Sequence, residues 1–142
     1  MTWFHVHRFT CTYDRASNKL VYKNSGTGNL DEFKAELTEN AVIFGGYKVL
    51  VIDESETVTS RRCKLVQITW IGGSVSPMLR NAPLASKAER VNLFTGTSHE
   101  IQANDADMIT EKGIAKQLLL SGGAHKPTHY MFGPNKILLS EL

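Results

Sequence analysis

Large apolar and polar residues alternate over residues 2–13, with Phe4, Val6, Phe9, Cys11 and Tyr13 as the recurring apolar positions. That two-residue period is the signature of a half-buried strand. The turn-like DRASN of residues 14–18 leads into KLVYK at 19–23, and the pair predicts a β-hairpin. NSGTG at 24–28 breaks the pattern. Asn29 then stands three positions before Glu32, the spacing of a capping box, and Asp31 suits the positive end of a helix dipole. Leu30, Phe33 and Leu37 share one face of that helix, which is expected to pack on a sheet.

Residues 42–52, VIFGGYKVLVI, are strongly β-forming, and the Gly45-Gly46 pair predicts a bulge or a close backbone approach. An acidic turn at 53–56 leads to a second apolar strand over 64–71, so the centre of the chain reads as a hairpin covered on both faces. Residues 72–83 are irregular. Ser86 with Glu89 offers another capping box, and Ala88, Val91 and Phe94 form the expected buried stripe of its helix. HEIQA at 99–103 predicts a short strand. Asp105 or Asp107 then caps a helix running through Leu120, with Met108, Ile109, Ile114, Leu118 and Leu119 as its apolar set and Gly122-Gly123 as its stop. The order describes an α/β domain over residues 1–124, a central mixed sheet of about five strands with helices packed on it. Residues 125–142 read as a C-terminal tail, too apolar around Tyr130, Met131, Phe132, Ile137, Leu138 and Leu139 for disorder.

Composition changes this picture little. A 142-residue chain with 42% hydrophobic and 21% charged residues suits one globular domain. The distribution of charge is more telling. Arg61, Arg62, Lys64, Arg80, Lys87 and Arg90 lie between positions 58 and 90 against the single acid Glu89, within a net charge of only +2. A basic middle in a mildly acidic frame suits an anionic protein surface. Cys11 and Cys63 lack metal or redox spacing and are expected as reduced thiols in the cytoplasm. No apolar run is long enough to cross a membrane as a helix.

The chemistry of an enzyme is not legible. The glycine pairs lack a phosphate-loop context, no serine sits in a nucleophile elbow, and Asp53, Glu54 and Glu56 are neighbouring turn carboxylates. His5 and His7 share a strand face at metal-binding spacing but no third ligand of recognisable spacing follows, and His125 and His129 share helical spacing without the HExxH pattern. No cofactor is expected. Nucleic acid is a poor fit, since Trp70 is the only aromatic interleaved with the basic middle.

The run Arg61-Arg62-Cys63-Lys64, followed by Ile68-Thr69-Trp70-Ile71-Gly72 and Val75-Ser76, resembles the coactosin branch of the actin-depolymerising factor homology (ADF-H) family. Thr95-Gly96, the HEIQAN of 99–104 and the LLSGG of 119–123 resemble the cofilin side of the same family. The resemblance spans roughly residues 9–124. It implies the ADF-H fold, with helices on both faces of the sheet, and binding to actin without catalysis.

The resemblance also implies two contact patches. Met78, Arg80 and Asn81, with Lys87 and Arg90 further along, match the exposed face of the family's actin-binding helix. Arg61, Arg62 and Lys64 match a filament-specific patch on the strand leading to the Trp, with Arg62 and Lys64 on one strand face. The sequence departs from the family in three places. The N-terminal helix has no counterpart, which implies weak or no monomer binding and severing, and leaves sheet surface for residues 130–139 to cover. Pro83 falls inside the family's helix, so the helix is expected to start at or after it, with Met78 and Arg80 on a loop. Val91 and Asn92 stand where cofilins carry lysines. The expectation is a monomeric protein of the actin cytoskeleton that binds the side of actin filaments and regulates their dynamics. A cofilin-like monomer binder, or an adaptor for a different partner, is the alternative.

Overall fold

The computed structural model describes residues 7–97, 99–122 and 126–142. The start of the expected first strand, with His5, and Gly123 and His125 near the C-terminus lie outside these residues, as does the segment bearing on an N-terminal helix.

Among the described residues seven strands form one sheet: β1 (Arg8–Asp14), β2 (Lys19–Gly26), β3 (Val42–Glu54), β4 (Thr59–Ile71), β5 (His99–Ala103), β6 (His129–Phe132) and β7 (Asn135–Leu138). The order β2-β1-β3-β4-β5 is antiparallel except for β4 and β5, which run parallel and make the sheet mixed. The five expected strands are therefore present, and the further two come from residues 125–142. β3 is long enough to serve two neighbours along one edge. Ile43 to Tyr47 pair with β1, and Leu50 to Ile52 pair with β6.

Strand alternation divides β3 into two apolar faces. Ile43, Tyr47, Val49 and Val51 join Val66, Ile68 and Trp70 of β4 under α1 (Leu30–Lys34) and α4 (Glu111–Ser121), which contribute Leu30, Phe33, Ile114, Ala115 and Leu118. Val42 and Phe44 join Phe9 and Cys11 on the opposite face, under α2 (Ala82–Ala85) and α3 (Lys87–Leu93). Each fully buried large side chain contributes about 1.5–3 kcal/mol by leaving water.

Local signals explain the boundaries. Asn29 caps α1 as expected, its Oδ1 accepting from the Glu32 N–H at 3.2 Å. The Gly45-Gly46 pair is a close approach and not a bulge: the register of β3 is continuous there, and a Cβ on Gly45 would overlap the Phe33 ring. The last helix is shorter than expected. Asp105 caps only a 3-10 turn at Ala106–Met108, and Thr110 starts α4 by accepting from the Gly113 N–H at 3.0 Å. Ile109 between them is extended and fully buried, while Met108, expected in the stripe, is exposed.

The 126–142 segment is woven into the domain. Phe132 stacks on Tyr47 with centroids 6.1 Å apart, and Asn135 Nδ2 donates to Glu111 Oε1 at 2.8 Å. Gly133 turns the hairpin at φ +60°, where a Cβ would press on the Gly28 carbonyl ahead of α1. Tyr130 and Phe132 are both buried in the larger core.

Candidate functional site

The strand Thr59–Ile71 ends at Trp70, whose indole Nε1 donates to the Thr38 carbonyl at 2.7 Å and anchors the chain as it leaves the sheet. The following segment is held at Val75, which is buried against β1 and β3. It then runs through a 3-10 turn at Leu79–Asn81 directly into α2 and α3. Pro83 occupies the first turn of α2, where its missing N–H costs nothing. Arg80 therefore sits in a helical turn and not on a loop, and Met78 caps that turn.

This earlier start sets the phase of the whole run. Ala82, Ser86, Arg90 and Phe94 recur every fourth residue and are buried, whereas Ala88 and Val91, expected in the stripe, face solvent. The expected capping box does not form. Ser86 Oγ instead donates back to the Ala82 carbonyl at 2.7 Å, and the Glu89 carboxylate accepts from the Leu20 N–H at 3.1 Å.

Arg90 is a correction to the expected contact surface. It is only 9% exposed, and its guanidinium lies over the Phe44 ring, 4.9 Å from the centroid. Its Nε donates to Ser86 Oγ at 3.2 Å, one terminal nitrogen bonds the Pro83 carbonyl, and the other pairs with Glu100 at 3.4 Å. A guanidinium with all three nitrogens engaged inside the fold is a pin between α3, β3 and β5.

The other expected residues are at the surface. Met78, Arg80, Asn81 and Lys87 are exposed on the helical run and its entry turn. Leu84 and Val91, 77% and 64% exposed, join them and were not anticipated as surface residues. Their i, i+7 spacing, with Lys87 and Ala88 between, was the available signal. Arg61 and Arg62 are exposed on the distal half of β4, and Lys64 is half-buried. Arg62 and Lys64 border a recess of about 60 Å³ with Val51, Leu118, Pro127 and Tyr130, on the α4 face of the sheet. Arg61 is one residue out of phase with them and points to the other face. Burial holds the Tyr130 phenol above its ordinary range, with the Arg62 charge acting against that rise.

Electrostatically the two groups are alike. The ion pairs among the described residues are Arg8 with Glu32 and Glu36, and Arg90 with Glu100. Arg61, Arg62, Lys64, Arg80 and Lys87 take part in none of them. Both cysteines are free, Cys63 exposed and Cys11 buried with its thiol pushed up to about 11. No helix among the described residues is long and apolar enough to cross a membrane.

A mixed sheet with α1 and α4 on one face and α2 and α3 on the other is the ADF-H architecture. A sequence model of the cofilin/tropomyosin-type actin-binding protein family matches residues 7–119, and the chain belongs to that family. Coactosin of Entamoeba histolytica is 36% identical over 108 residues, which span 75% of this chain and 70% of the relative. The crystal structure of coactosin from Entamoeba histolytica superposes with a TM-score of 0.72 at 31% identity, covering 84% of each chain. The solution structure of mouse coactosin, an actin filament binding protein, shares the fold with a TM-score of 0.64 at 24% identity, covering 84% of this chain and 79% of its own. Within the family, the likeness runs to the coactosins.

Proposed function

We propose that this protein binds the side of actin filaments in the manner of a coactosin, and modulates filament dynamics by occupying sites, with no catalytic step. The observation that carries the reading is the pair of unneutralised basic clusters on separate elements, Arg61, Arg62 and Lys64 on β4, and Arg80 and Lys87 beside Met78 on the helical run. Two anchors of moderate strength on one rigid body favour a lattice that offers both acceptors at once, because the second contact forms at high effective concentration. A filament presents neighbouring subunits in fixed register, and a free monomer does not. Exposed Met78, Leu84 and Val91 supply adaptable apolar contact beside the charges. On this reading the protein works at the actin cytoskeleton as a monomer, with weak affinity for monomeric actin.

The test is co-sedimentation of the full chain with filamentous actin across a salt series, with monomeric actin on a native gel beside it. Pelleting that weakens with salt, without a monomer shift, supports the reading. A monomer shift with loss of filaments assigns a cofilin-like role, and binding to neither form removes actin as the partner.

A further inference from the structure

Of the four prolines in the chain, only Pro77 follows a hydroxyl residue. Ser76 and Pro77 are both exposed, in the stretch between buried Val75 and the 3-10 turn that opens the helical run. A residue preceding proline is biased to extended backbone, the form in which a kinase cleft accepts a peptide. The Ser76 hydroxyl is barely committed, its one hydrogen bond among the described residues being accepted from the Leu79 N–H at 3.4 Å.

One guanidinium lies beside this serine and a second touches Met78, two residues on. Arg80 folds back so that its Nε donates to the Val75 carbonyl at 3.4 Å, one peptide away from Ser76. Arg15, reaching over from the β1–β2 turn, lies against Met78 with its terminal nitrogen 3.5 Å from Sδ. Neither arginine is in an ion pair among the described residues. A phosphoryl group on Ser76 would bring about −1.5 to −2 charges and three acceptor oxygens beside Arg80, on the side of the segment where Arg15 touches Met78.

We propose that Ser76 is a phosphorylation site for a proline-directed serine/threonine kinase, and that its phosphate pairs with Arg80 and Arg15 to remove Arg80 from the partner-binding face. The γ-phosphoryl group of a nucleoside triphosphate forms a bond to Ser76 Oγ as its bond to the β,γ-bridging oxygen breaks. The nucleoside diphosphate leaves with that electron pair, and the hydroxyl proton passes to the kinase's base. The added dianion also repels an acidic surface docking against Met78 and Arg80. This regulatory half rests on the filament-binding reading above, whereas the modification and the ion pair do not.

The experiment uses the full chain, a purified proline-directed kinase and magnesium ATP. One phosphate per chain is expected, located at Ser76 by peptide mass and lost in Ser76→Ala and in Pro77→Ala. The ³¹P resonance of the phosphoserine should titrate below the ordinary midpoint of about 6 in the wild-type chain, and return toward it in Arg80→Gln. Filament co-sedimentation should weaken about tenfold on phosphorylation, as expected for charge opposition at a docking surface. Phosphate placed elsewhere, or incorporation indifferent to Pro77→Ala, overturns the site. A midpoint indifferent to Arg80→Gln overturns the pairing, and unchanged pelleting of the phosphorylated chain overturns the switch. Should the unmodified chain itself fail to pellet, filament binding and the switch fall together, while incorporation and the ³¹P midpoint still decide the site.

Discussion

The Arg90 guanidinium lies 4.9 Å above the centre of the Phe44 ring, joining the helix after the Trp strand to the middle of the sheet. Phe44 is fully buried, and Arg90 holds Ser86, Pro83 and Glu100 around it. The consequence is a division of labour among the six basic residues of the stretch from Arg61 to Arg90, one of which sets the angle of the helical run while the others remain at the surface.

Arg90→Ala should therefore behave as a core lesion. Removing the guanidinium deletes a cation–π contact, takes the Arg90 donor from the Pro83 carbonyl and leaves the Ser86 hydroxyl with its bond to the Ala82 carbonyl alone, at a cost of about 2–4 kcal/mol. Thermal denaturation should show a midpoint lower by about 5–15 °C. A midpoint within experimental scatter of the wild type would place Arg90 back among the surface contacts.

Arg62→Glu with Lys64→Glu, and Arg80→Glu with Lys87→Glu, should show the opposite profile. Each double variant should melt within about 0.5 kcal/mol of the wild type, since the side chains are exposed, or half-buried at Lys64, and lie outside the ion pairs of the fold. Filament affinity should fall about ten- to a hundredfold in either double variant and vanish in the quadruple one, by the loss of one anchor and then both. Co-sedimentation reads the affinity, and a denaturant series reads the stability.

The C-terminal hairpin supplies a third test. Phe132 is fully buried and stacked on Tyr47, so Phe132→Ala should cost about 3–5 kcal/mol. Deleting residues 126–142 should lower the midpoint further, because it also uncovers Val51 and the β3 edge. A truncated chain as stable as the full one would show that the hairpin is dispensable to the domain.

His129 predicts a pH dependence. It is 4% exposed, its Nδ1 has no hydrogen-bond partner among the described residues, and burial lowers its pKa below the ordinary 6.5, assisted by Lys136 and opposed by Glu54. The unfolded chain therefore takes up a proton that the folded site refuses. Stability should decline as pH falls through about 6.5 and level off once the pH is below the folded pKa. His129→Gln should remove that part of the slope in melts between about pH 7.5 and 5, the window in which an imidazole titrates.

Much of the fold was legible because its signals are local. The Asn29 cap, the two long apolar strands and the HEIQA strand each follow from residues within one turn or one period of each other. The helical run was misphased because Pro83 read as a barrier, when in the first turn of a helix it is at home. That one shift turned Val91 outward and Arg90 inward. Thr110 was overlooked as a cap because Asp105 and Asp107 precede it with the same chemistry, and burial of Ile109 decides between them. The seat of residues 129–138 was beyond reach, since it depends on β3 leaving part of an edge open some eighty positions earlier, and pairing at that separation leaves no local trace.

That shared edge bears on how the chain is made. A nascent chain that has emerged only as far as β5 can close the β3–β4 hairpin and seat β1, yet it still presents Leu50 to Ile52 with unpaired backbone groups. The strands that cover it, β6 and its partner β7, leave the ribosome only after β5. Until then the growing polypeptide carries an adhesive margin, and a chaperone that binds extended apolar segments would find its foothold there.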